Sequence, residues 1–367
     1  MLDFTSALYL GLRHPSAALA PWPALSSGRP AALAEARGAD AVAQEFARLA
    51  GCEAGMLLPS TLHLFFDLFA TLPPRSTYFV DAGSYPVARW GVERATVRGA
   101  GQRTFRHYDA DALEQMLSRE ARIGFRPVAV IDGYCPGCGV PAPVSDLLSA
   151  LRRYDGLLVI DDTQAFGILG ERRRPGAASL HSSEYGSGGG GILRHAAVSG
   201  PDILLAASLS KGFGAPVALL AGSASRVARF SRSSLTRVHC SPPSVAVVRA
   251  AERAFEANRE RGDALRRRLA RLVKRFRDRV AGTCAIAHGG NFPMLTLGCD
   301  AARGANAIVL HRQLAQSGIR CVLHGGREPR ASFLFTAAHD ESAVDSAADA
   351  LNQCLSAGRR RRSGGLS

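Results

Sequence analysis

The sequence is poor in lysine: of its 45 basic residues, only Lys211 and Lys274 are lysines. Lys274 lies in the arginine-crowded segment RLVKRFRDRV, where any cation would serve, whereas Lys211 lies in SLSKGFG (208–214), between an apolar run and two glycines. A guanidinium group stays protonated and is not nucleophilic, but a primary amine can form a Schiff base. We therefore expect Lys211 to be retained for its amine. The alternative is a surface lysine in a glycine-rich turn.

Long apolar runs are also missing. No run approaches the ~20 residues that a membrane-spanning helix needs, and the first residues lack a basic stretch followed by an apolar core. We expect a cytoplasmic protein without a membrane segment or signal peptide, with its eight cysteines reduced. A second CxxC pair is absent as well, so we interpret Cys135-Pro-Gly-Cys138 as a tight turn and expect no metal.

Acidic residues are outnumbered, and the net charge is +14. The excess is almost all arginine and is spread along the chain, which indicates a compositional bias and also favours anionic substrates near the site. Nucleic-acid binding is the alternative, but no recognised nucleic-acid motif accompanies the charge, so we expect no such partner.

Apolar runs and amphipathic segments alternate along the first two thirds of the chain. We expect strands at TYFVDA (77–82), PVAVID (127–132), LLVID (157–161), ILLAAS (203–208) and VALLAG (217–222). This alternation predicts an α/β fold with a mostly parallel sheet and helices on both faces. In such sheets the ligand lies at the carboxyl ends of the strands, where Asp81, Asp161 and Ser208 are found.

The pattern changes after Ser241-Pro242-Pro243. A helix running to about residue 281 has one apolar and one arginine-rich face, and two short strands (293–298, 331–335) alternate with helices (301–317, 340–356). A chain of 367 residues also favours a large domain plus a smaller one. We expect an N-terminal arm with part of the small domain (1–50), a large cofactor-binding domain (51–258), a smaller α+β C-terminal domain (259–357), a disordered basic tail (358–367) and a flexible loop at 181–191.

A lysine that forms a Schiff base with pyridoxal 5'-phosphate needs several partners, and candidates for the ring are present. Asp161 ends an apolar strand, where its carboxylate can keep the pyridine nitrogen protonated and make the ring an electron sink. Asp162 would face the other side of the strand. The Gln164 amide could donate to the phenolic oxygen, and the Tyr85 ring could stack on the cofactor. Each also has an ordinary structural interpretation as a turn, loop or helix-end residue.

Candidates for the phosphate and for a substrate carboxylate lie elsewhere. Ser60 and Thr61 begin a helix, whose free N–H groups and dipole favour phosphate. Ser208 and Ser210 flank the lysine region and could bind the same group. Arg330 could hold a carboxylate as a bidentate pair, and His239 could reach a phosphate or a substrate.

Taken in order, these motifs resemble the α-oxoamine synthases, such as 8-amino-7-oxononanoate synthase, within the fold-type I pyridoxal-phosphate enzymes of the class I/II aminotransferase superfamily. LDFTSALYLGLRHP, DDTQAFGILGE, SLSKGFG and FLFTAAHD carry the resemblance, which extends over most of the chain. It implies a homodimer with the active site at the subunit interface. By position, Lys211 would bind the cofactor and transfer protons, and Asp161 would pair with the pyridinium.

The remaining roles implied by the resemblance concern phosphate and substrate. Thr61 and Leu62 fall where the family's backbone cradles phosphate, and Ser208 falls on a phosphate-binding hydroxyl position. Arg330 matches the family's arginine that holds the amino-acid carboxylate. His239 lies where, in the family, the partner subunit usually supplies a contact to the phosphate.

Two departures from the family concern its histidines. Tyr85 stands where the family stacks a histidine on the cofactor, and Gln164 stands where it has a histidine three residues after the aspartate. Tyrosine and glutamine can stack and hydrogen-bond, but neither acts as an imidazole acid or base near neutral pH. The turn at 136–139 and the segment SSGRPAALAEARGAD also depart from the family's pattern.

We therefore expect a pyridoxal-phosphate-dependent transferase that condenses an amino acid with an acyl thioester, carried by coenzyme A or an acyl carrier protein, to a 2-amino ketone. The alternatives on the same fold are an aminotransferase, a decarboxylase, a racemase or an aldolase. A non-catalytic scaffold is a further alternative, although such a protein would be expected to lose Lys211.

Overall fold

The computed structural model describes residues 1–73, 76–121, 126–172, 184–282, 286, 290–298, 307–325 and 329–363, the last six of these as backbone. Its strands are β1 (Leu2–Asp3), β2 (Ala54–Leu58), β3 (Ser76–Asp81), β4 (Gly101–Phe105), β5 (Arg126–Asp132), β6 (Tyr134–Cys135), β7 (Val140–Pro141), β8 (Leu157–Asp161), β9 (Ile203–Ser208), β10 (Ala218–Gly222), β11 (Met294–Thr296), β12 (Ile319–Arg320), β13 (Val322–His324) and β14 (Arg330–Leu334).

Helices separate most of these strands. They are α1 (Ala39–Ala50), α2 (Thr61–Leu68), α3 (Pro86–Thr96), α4 (Ala110–Glu120), α5 (Val144–Arg152), α6 (Gly191–Ala196), α7 (Ala224–Ser233), α8 (Leu235–His239), α9 (Val245–Ala257), α10 (Asp263–Val280), α11 (Ala307–Gln316) and α12 (Glu341–Ser363). A π-helical turn (Asn258–Gly262) joins α9 to α10. No helix among these described residues is long and apolar enough to cross a membrane.

The central sheet has seven strands in the order β2-β10-β9-β8-β5-β3-β4. β10 is antiparallel to both of its neighbours, and the remaining pairs are parallel. In β8, Leu158 and Ile160 belong to one buried cluster, and Leu157 and Val159 to the cluster on the opposite face. A strand that is apolar on both faces needs helices on both sides, and this explains its continuous apolar run.

A second, three-stranded antiparallel sheet in the order β11-β14-β13 lies in the C-terminal part of the chain. α10 packs against α12 there, and its buried residues include Leu269, Leu272, Phe276 and Val280, the apolar repeat expected from the sequence. β1 pairs in parallel with β12, which brings the first residues beside this C-terminal segment. The domain limits stay a prediction.

Parts of the two segments expected to be flexible or disordered lie within the described residues. In the segment expected to be a flexible loop, Tyr185 is buried and donates its hydroxyl to the Asn291 carbonyl, while the exposed Gly188 donates its N–H to Asp263. Residues 181–183 lie outside the described residues. α12 continues to Ser363, so its backbone is helical into the predicted tail, while residues 364–367 lie outside the described residues.

Candidate active site

Polar residues gather at one edge of the central sheet, where the parallel strands end. Asp81 ends β3, Asp132 ends β5, Asp161 ends β8 and Ser208 ends β9. Because these strands run in the same direction, their last residues share one edge. α2 and α3 follow β2 and β3, so both helices begin at this edge. The structure thus brings together the three strand-end residues singled out in the sequence.

Lys211 lies in the turn between β9 and β10, at this edge. The turn is closely packed: Gly214 has a φ of 68°, in the left-handed region, and a Cβ there would lie 2.3 Å from the Leu12 carbonyl oxygen. Within the turn, the Leu209 N–H donates to the Val217 carbonyl, and the Leu209 carbonyl accepts the Ala215 N–H. A side chain other than hydrogen at position 214 would therefore displace the N-terminal segment. The turn that carries Lys211 thus packs against the N-terminal segment.

Burial lowers the pKa of the Lys211 amine, because the protein interior disfavours its charged form. The carboxylates of Asp161 and Asp132 act in the opposite direction, so both are near enough to stabilise the ammonium. A lowered pKa increases the fraction of neutral amine at a given pH, and the neutral amine is the nucleophile and the base.

The paired aspartates of DDTQ face opposite sides of the sheet. Asp161 is buried at the active-site edge, and its Oδ1 accepts the Thr163 N–H at 3.0 Å. Asp162 is fully buried and accepts the Ile192 N–H of α6 at 3.0 Å, as expected from the alternation of side chains along a strand. Burial raises the pKa of both carboxyl groups. Lys211 partly counteracts the rise at Asp161, which makes Asp161 the aspartate that faces the lysine.

Asp132 is a member of the site that the sequence reasoning missed. It lies directly opposite Asp161 in the parallel pairing of β5 with β8, and its Oδ1 accepts the Tyr85 N–H at 3.1 Å. Burial, and then the neighbouring Asp161, raise the pKa of Asp132 to about 8, while Lys211 lowers it. The available signal was its place at the end of PVAVID, the same position in a strand that Asp161 and Asp81 occupy.

Tyr85 and Gln164 flank these carboxyl groups. Tyr85 precedes Pro86, the first residue of α3, and its side chain is 58% exposed, so a face of the ring is available for stacking. The Gln164 Oε1 accepts the hydroxyl of Tyr9 at 2.8 Å. Tyr9 is buried and was not among the predicted residues. Because the Tyr9 hydroxyl donates to the amide oxygen of Gln164, the amide nitrogen of Gln164 is directed away from Tyr9 and can serve as a donor.

The start of α2 has the form of an anion site. Ser60 caps the helix by accepting the His63 N–H at 3.4 Å, and the N–H groups of the first helical turn, including Thr61 and Leu62, have no acceptor within the helix. Ser208 and Ser210 are joined by a hydrogen bond between their hydroxyls at 2.7 Å. β2 and β9 both pair antiparallel to β10, which lies between them, so the two strands run in the same direction and the hydroxyls and the α2 amides lie at the same edge of the sheet.

Two predicted residues lie off this edge. Arg330 is half-buried at the start of β14 in the C-terminal sheet. His239 is the last residue of α8, and its side chain is exposed. Their connection with the site therefore stays a prediction.

The donor set fits pyridoxal phosphate. It combines an amine whose pKa is lowered by burial, a buried carboxyl group, an exposed aromatic ring, an oriented amide and a helix N-terminus with two nearby hydroxyls. These are the groups that the aldehyde, the ring nitrogen, the ring face, the phenolic oxygen and the phosphate require.

Comparisons with known proteins agree with the fold and the motifs. A family model described as aminotransferase class I and II matches residues 2–351. The curated relatives include 8-amino-7-oxononanoate synthase from Alkalilimnicola ehrlichii, 27% identical over 268 residues, which cover 72% of this chain and 64% of that protein. The enzyme of the same name from Methylococcus capsulatus is 29% identical over 270 residues, which cover 71% of this chain and 63% of that protein. The chain thus spans less than two thirds of the length of these relatives.

Solved structures show the same fold at low sequence identity. Serine palmitoyltransferase from Sphingomonas wittichii has a TM-score of 0.81 at 15% identity, covering 97% of this chain and 87% of that one. A structure of this type of enzyme with PLP as an internal aldimine also has a TM-score of 0.81, at 13% identity and the same coverage. 8-Amino-7-oxononanoate synthase from Francisella tularensis has a TM-score of 0.74 at 14% identity, covering 97% and 98%. The predicted fold-type I architecture is confirmed, as is the resemblance to α-oxoamine synthases.

Proposed function

Because the chain belongs to the class I and II aminotransferase family, we propose that it is a pyridoxal-phosphate-dependent transferase that joins an amino acid to an acyl thioester, forming a 2-amino ketone. The observation that carries this proposal is the arrangement of Lys211 opposite Asp161 at the carboxyl edge of the sheet, beside the exposed ring of Tyr85. The curated relatives named 8-amino-7-oxononanoate synthase support the choice of reaction.

Each residue has a defined task in this proposal. Lys211 holds the cofactor through its amine and, when released by the amino acid, moves the α-proton. Asp161 holds the proton of the ring nitrogen, and Tyr85 covers one ring face. Asp132 positions Tyr85 through the hydrogen bond to its N–H. When bound, pyridoxal phosphate supplies an electron sink that permits a bond to the amino acid's α-carbon to break.

The phosphate and the substrates are held by other groups. The amides at Thr61 and Leu62 and the hydroxyls of Ser208 and Ser210 bind the phosphate, while the Gln164 amide donates to the phenolic oxygen. Arg330 binds the carboxylate of the amino acid. The proposal includes a homodimer in which His239 reaches the phosphate of the other copy. Sedimentation analysis tests this, since a monomer that retains full activity would contradict it.

The test begins with the visible absorption of the purified protein after reconstitution with pyridoxal phosphate. We expect an absorption band that borohydride removes. With an amino acid and an acyl-coenzyme A, the enzyme should release free thiol. A protein that shows no band after reconstitution is not a pyridoxal-phosphate enzyme.

A second candidate function is an aminotransferase or another pyridoxal enzyme that needs no acyl donor. The observation in its favour is Gln164, whose amide is oriented by Tyr9 and has no acid or base function at the position of a family histidine. Conversion of a 2-oxo acid acceptor, without thiol release from acyl-coenzyme A, would establish this candidate and exclude the first.

A further inference from the structure

A cysteine pair forms the tight β6–β7 hairpin, as the sequence predicts. The Cys138 N–H donates to the Cys135 Sγ at 3.3 Å, and the Gly139 N–H donates to the Cys135 carbonyl at 2.8 Å. The turn therefore directs both thiols to the same side of the hairpin.

A histidine from another part of the chain meets this pair. His107 follows β4, and its Nε2 lies 3.3 Å from the Cys138 Sγ. Its Nδ1 lies 2.6 Å from the Asp81 Oδ1. Because a carboxylate only accepts hydrogen bonds, the ring proton belongs on Nδ1, and the lone pair of Nε2 is directed at the thiols.

The backbone around the histidine holds it in this position. The buried Asp81 also accepts the N–H groups of Gly83 at 2.6 Å and Tyr108 at 2.7 Å. Tyr108 has a φ of 56°, in the left-handed region that side chains rarely adopt. A Cβ at Gly83 would lie 2.3 Å from the His107 Nδ1, so only glycine admits the ring there. Strained backbone of this kind is typical of functional sites.

From this geometry we propose that His107, Cys135 and Cys138 bind a zinc ion. One ligand atom from each residue lies within 4.8 Å of the others. Zinc–sulfur bonds of about 2.3 Å and zinc–nitrogen bonds of about 2.0–2.1 Å in a tetrahedral shell place nitrogen and sulfur roughly 3.5 Å apart, close to the distance between His107 and Cys138. A Cys2His ligand set suits zinc. The described residues supply three ligands, and a water molecule would take the fourth position of the tetrahedral shell.

The Asp81 carboxylate distinguishes this cluster from a simple dithiol pair. Zinc-binding histidines donate their second N–H to a carboxylate, which fixes the ring and raises its basicity. Formation of a Cys135–Cys138 disulfide would require a two-electron oxidant. The experiment below therefore distinguishes the disulfide from the zinc-bound thiols.

The proposed ion lies beside the candidate active site. The Tyr108 ring stacks on His107 with centroids 3.9 Å apart, and its hydroxyl donates to the Asp132 carbonyl at 2.8 Å. Zinc would connect the β6–β7 hairpin to the ends of β3 and β4, and thereby restrain Tyr108 next to Asp132. The proposal does not depend on the pyridoxal reaction.

The experiment uses the full chain, treated with a chelator and a thiol reductant, then dialysed and titrated with zinc sulfate alone. We expect one zinc ion per chain by elemental analysis. Alkylation followed by peptide mass spectrometry should show Cys135 and Cys138 protected by zinc at least tenfold, while the half-buried Cys52 and Cys240 react at unchanged rates. This second measurement is made on the unmutated protein, so it does not depend on a variant's folding.

Variants complete the test. Cys135→Ser, Cys138→Ser and His107→Ala should each lose the stoichiometric ion, and Cys52→Ser, which removes a half-buried thiol outside the cluster, should retain it. Asp81→Asn should bind zinc about 10- to 100-fold more weakly. Zinc that neither binds in a 1:1 ratio nor protects the pair would overturn the proposal. So would a Cys135–Cys138 disulfide that forms equally fast with and without zinc.

Discussion

Two clusters lie at the same edge of the central sheet, and they differ in how the sequence encodes them. The lysine site consists of Lys211, Asp161, Asp132, Tyr85 and Gln164, and most of its members stand in short motifs. The thiol–imidazole cluster (His107, Cys135, Cys138) joins a CxxC turn to a histidine from a different strand end. The comparison teaches that a motif can be recognised within one segment, whereas a site assembled across strands is visible only after folding.

The strongest test of the lysine site compares the two lysines of the chain. Lys211→Ala should abolish the borohydride-sensitive absorption band and lower turnover by about a thousand-fold or more, because the covalent anchor and the proton-transfer group are lost together. Lys274→Ala should leave both unchanged, since its ammonium makes an exposed ion pair with Asp278 at 2.8 Å.

Two variants, one in each cluster, test whether the lysine site and the thiol–imidazole cluster are independent. Lys211→Ala should retain one zinc ion per chain, and Cys135→Ser should retain the absorption band. Loss of both properties in either variant would show that the clusters form a single site and would break the comparison.

The next largest effect separates the adjacent aspartates. Asp161→Asn should lower turnover by about 100- to 10,000-fold with little change in thermal stability, because the ring nitrogen loses its carboxylate partner. Asp162→Ala should instead lower the free energy of unfolding by about 1–3 kcal/mol, because it removes the buried acceptor of the Ile192 N–H. Steady-state kinetics and thermal unfolding of both variants measure this difference, and equal kinetic losses would contradict it.

A smaller, pH-dependent effect concerns Asp132, which faces Asp161, Asp81 and Lys211. Its pKa is raised to about 8 in the folded chain, so between its ordinary value of 3.8 and 8 the folded state binds more protons than the unfolded state. Its contribution to the stability of the cofactor-free protein should therefore fall as pH rises through that range.

Replacement of the carboxyl group isolates this contribution. Asp132→Asn cannot titrate, so thermal unfolding between pH 5 and pH 8 should show a flatter decline in stability than the unmutated protein does. Identical slopes would mean that Asp132 ionises in the folded chain as it does in the unfolded one.

The smallest expected effect is that of ring stacking. Tyr85→Ala should weaken cofactor binding roughly 2- to 10-fold, in keeping with the energies of aromatic stacking, and Tyr85→Phe should bind normally because it keeps the ring. Equilibrium titration of the cofactor-free protein with pyridoxal phosphate provides the measurement. A Phe variant as weak as the Ala variant would assign the effect to the hydroxyl instead.

Much of the large sheet could be predicted because its signals are local. The expected strands at 127–132, 157–161 and 203–208 correspond closely to β5, β8 and β9, since runs of buried apolar residues identify strands covered on both faces. The packing of Tyr185 could not be predicted, because glycine-rich composition does not indicate that this residue reaches Asn291, which is 106 positions away in the chain.

The sequence by itself indicated the chemistry that we propose for the lysine site. A lysine kept among arginines, and an aspartate at the end of an apolar strand, carry their meaning in a few adjacent residues. Only the tertiary structure decided which groups surround them. Strand pairing placed Asp132 beside Asp161, packing directed the hydroxyl of Tyr9 to Gln164, and the ends of β3, β4 and β6 brought His107 to the cysteines. Local motifs follow from the chemistry of neighbouring residues, whereas these contacts depend on the order and register of strands distant in the chain.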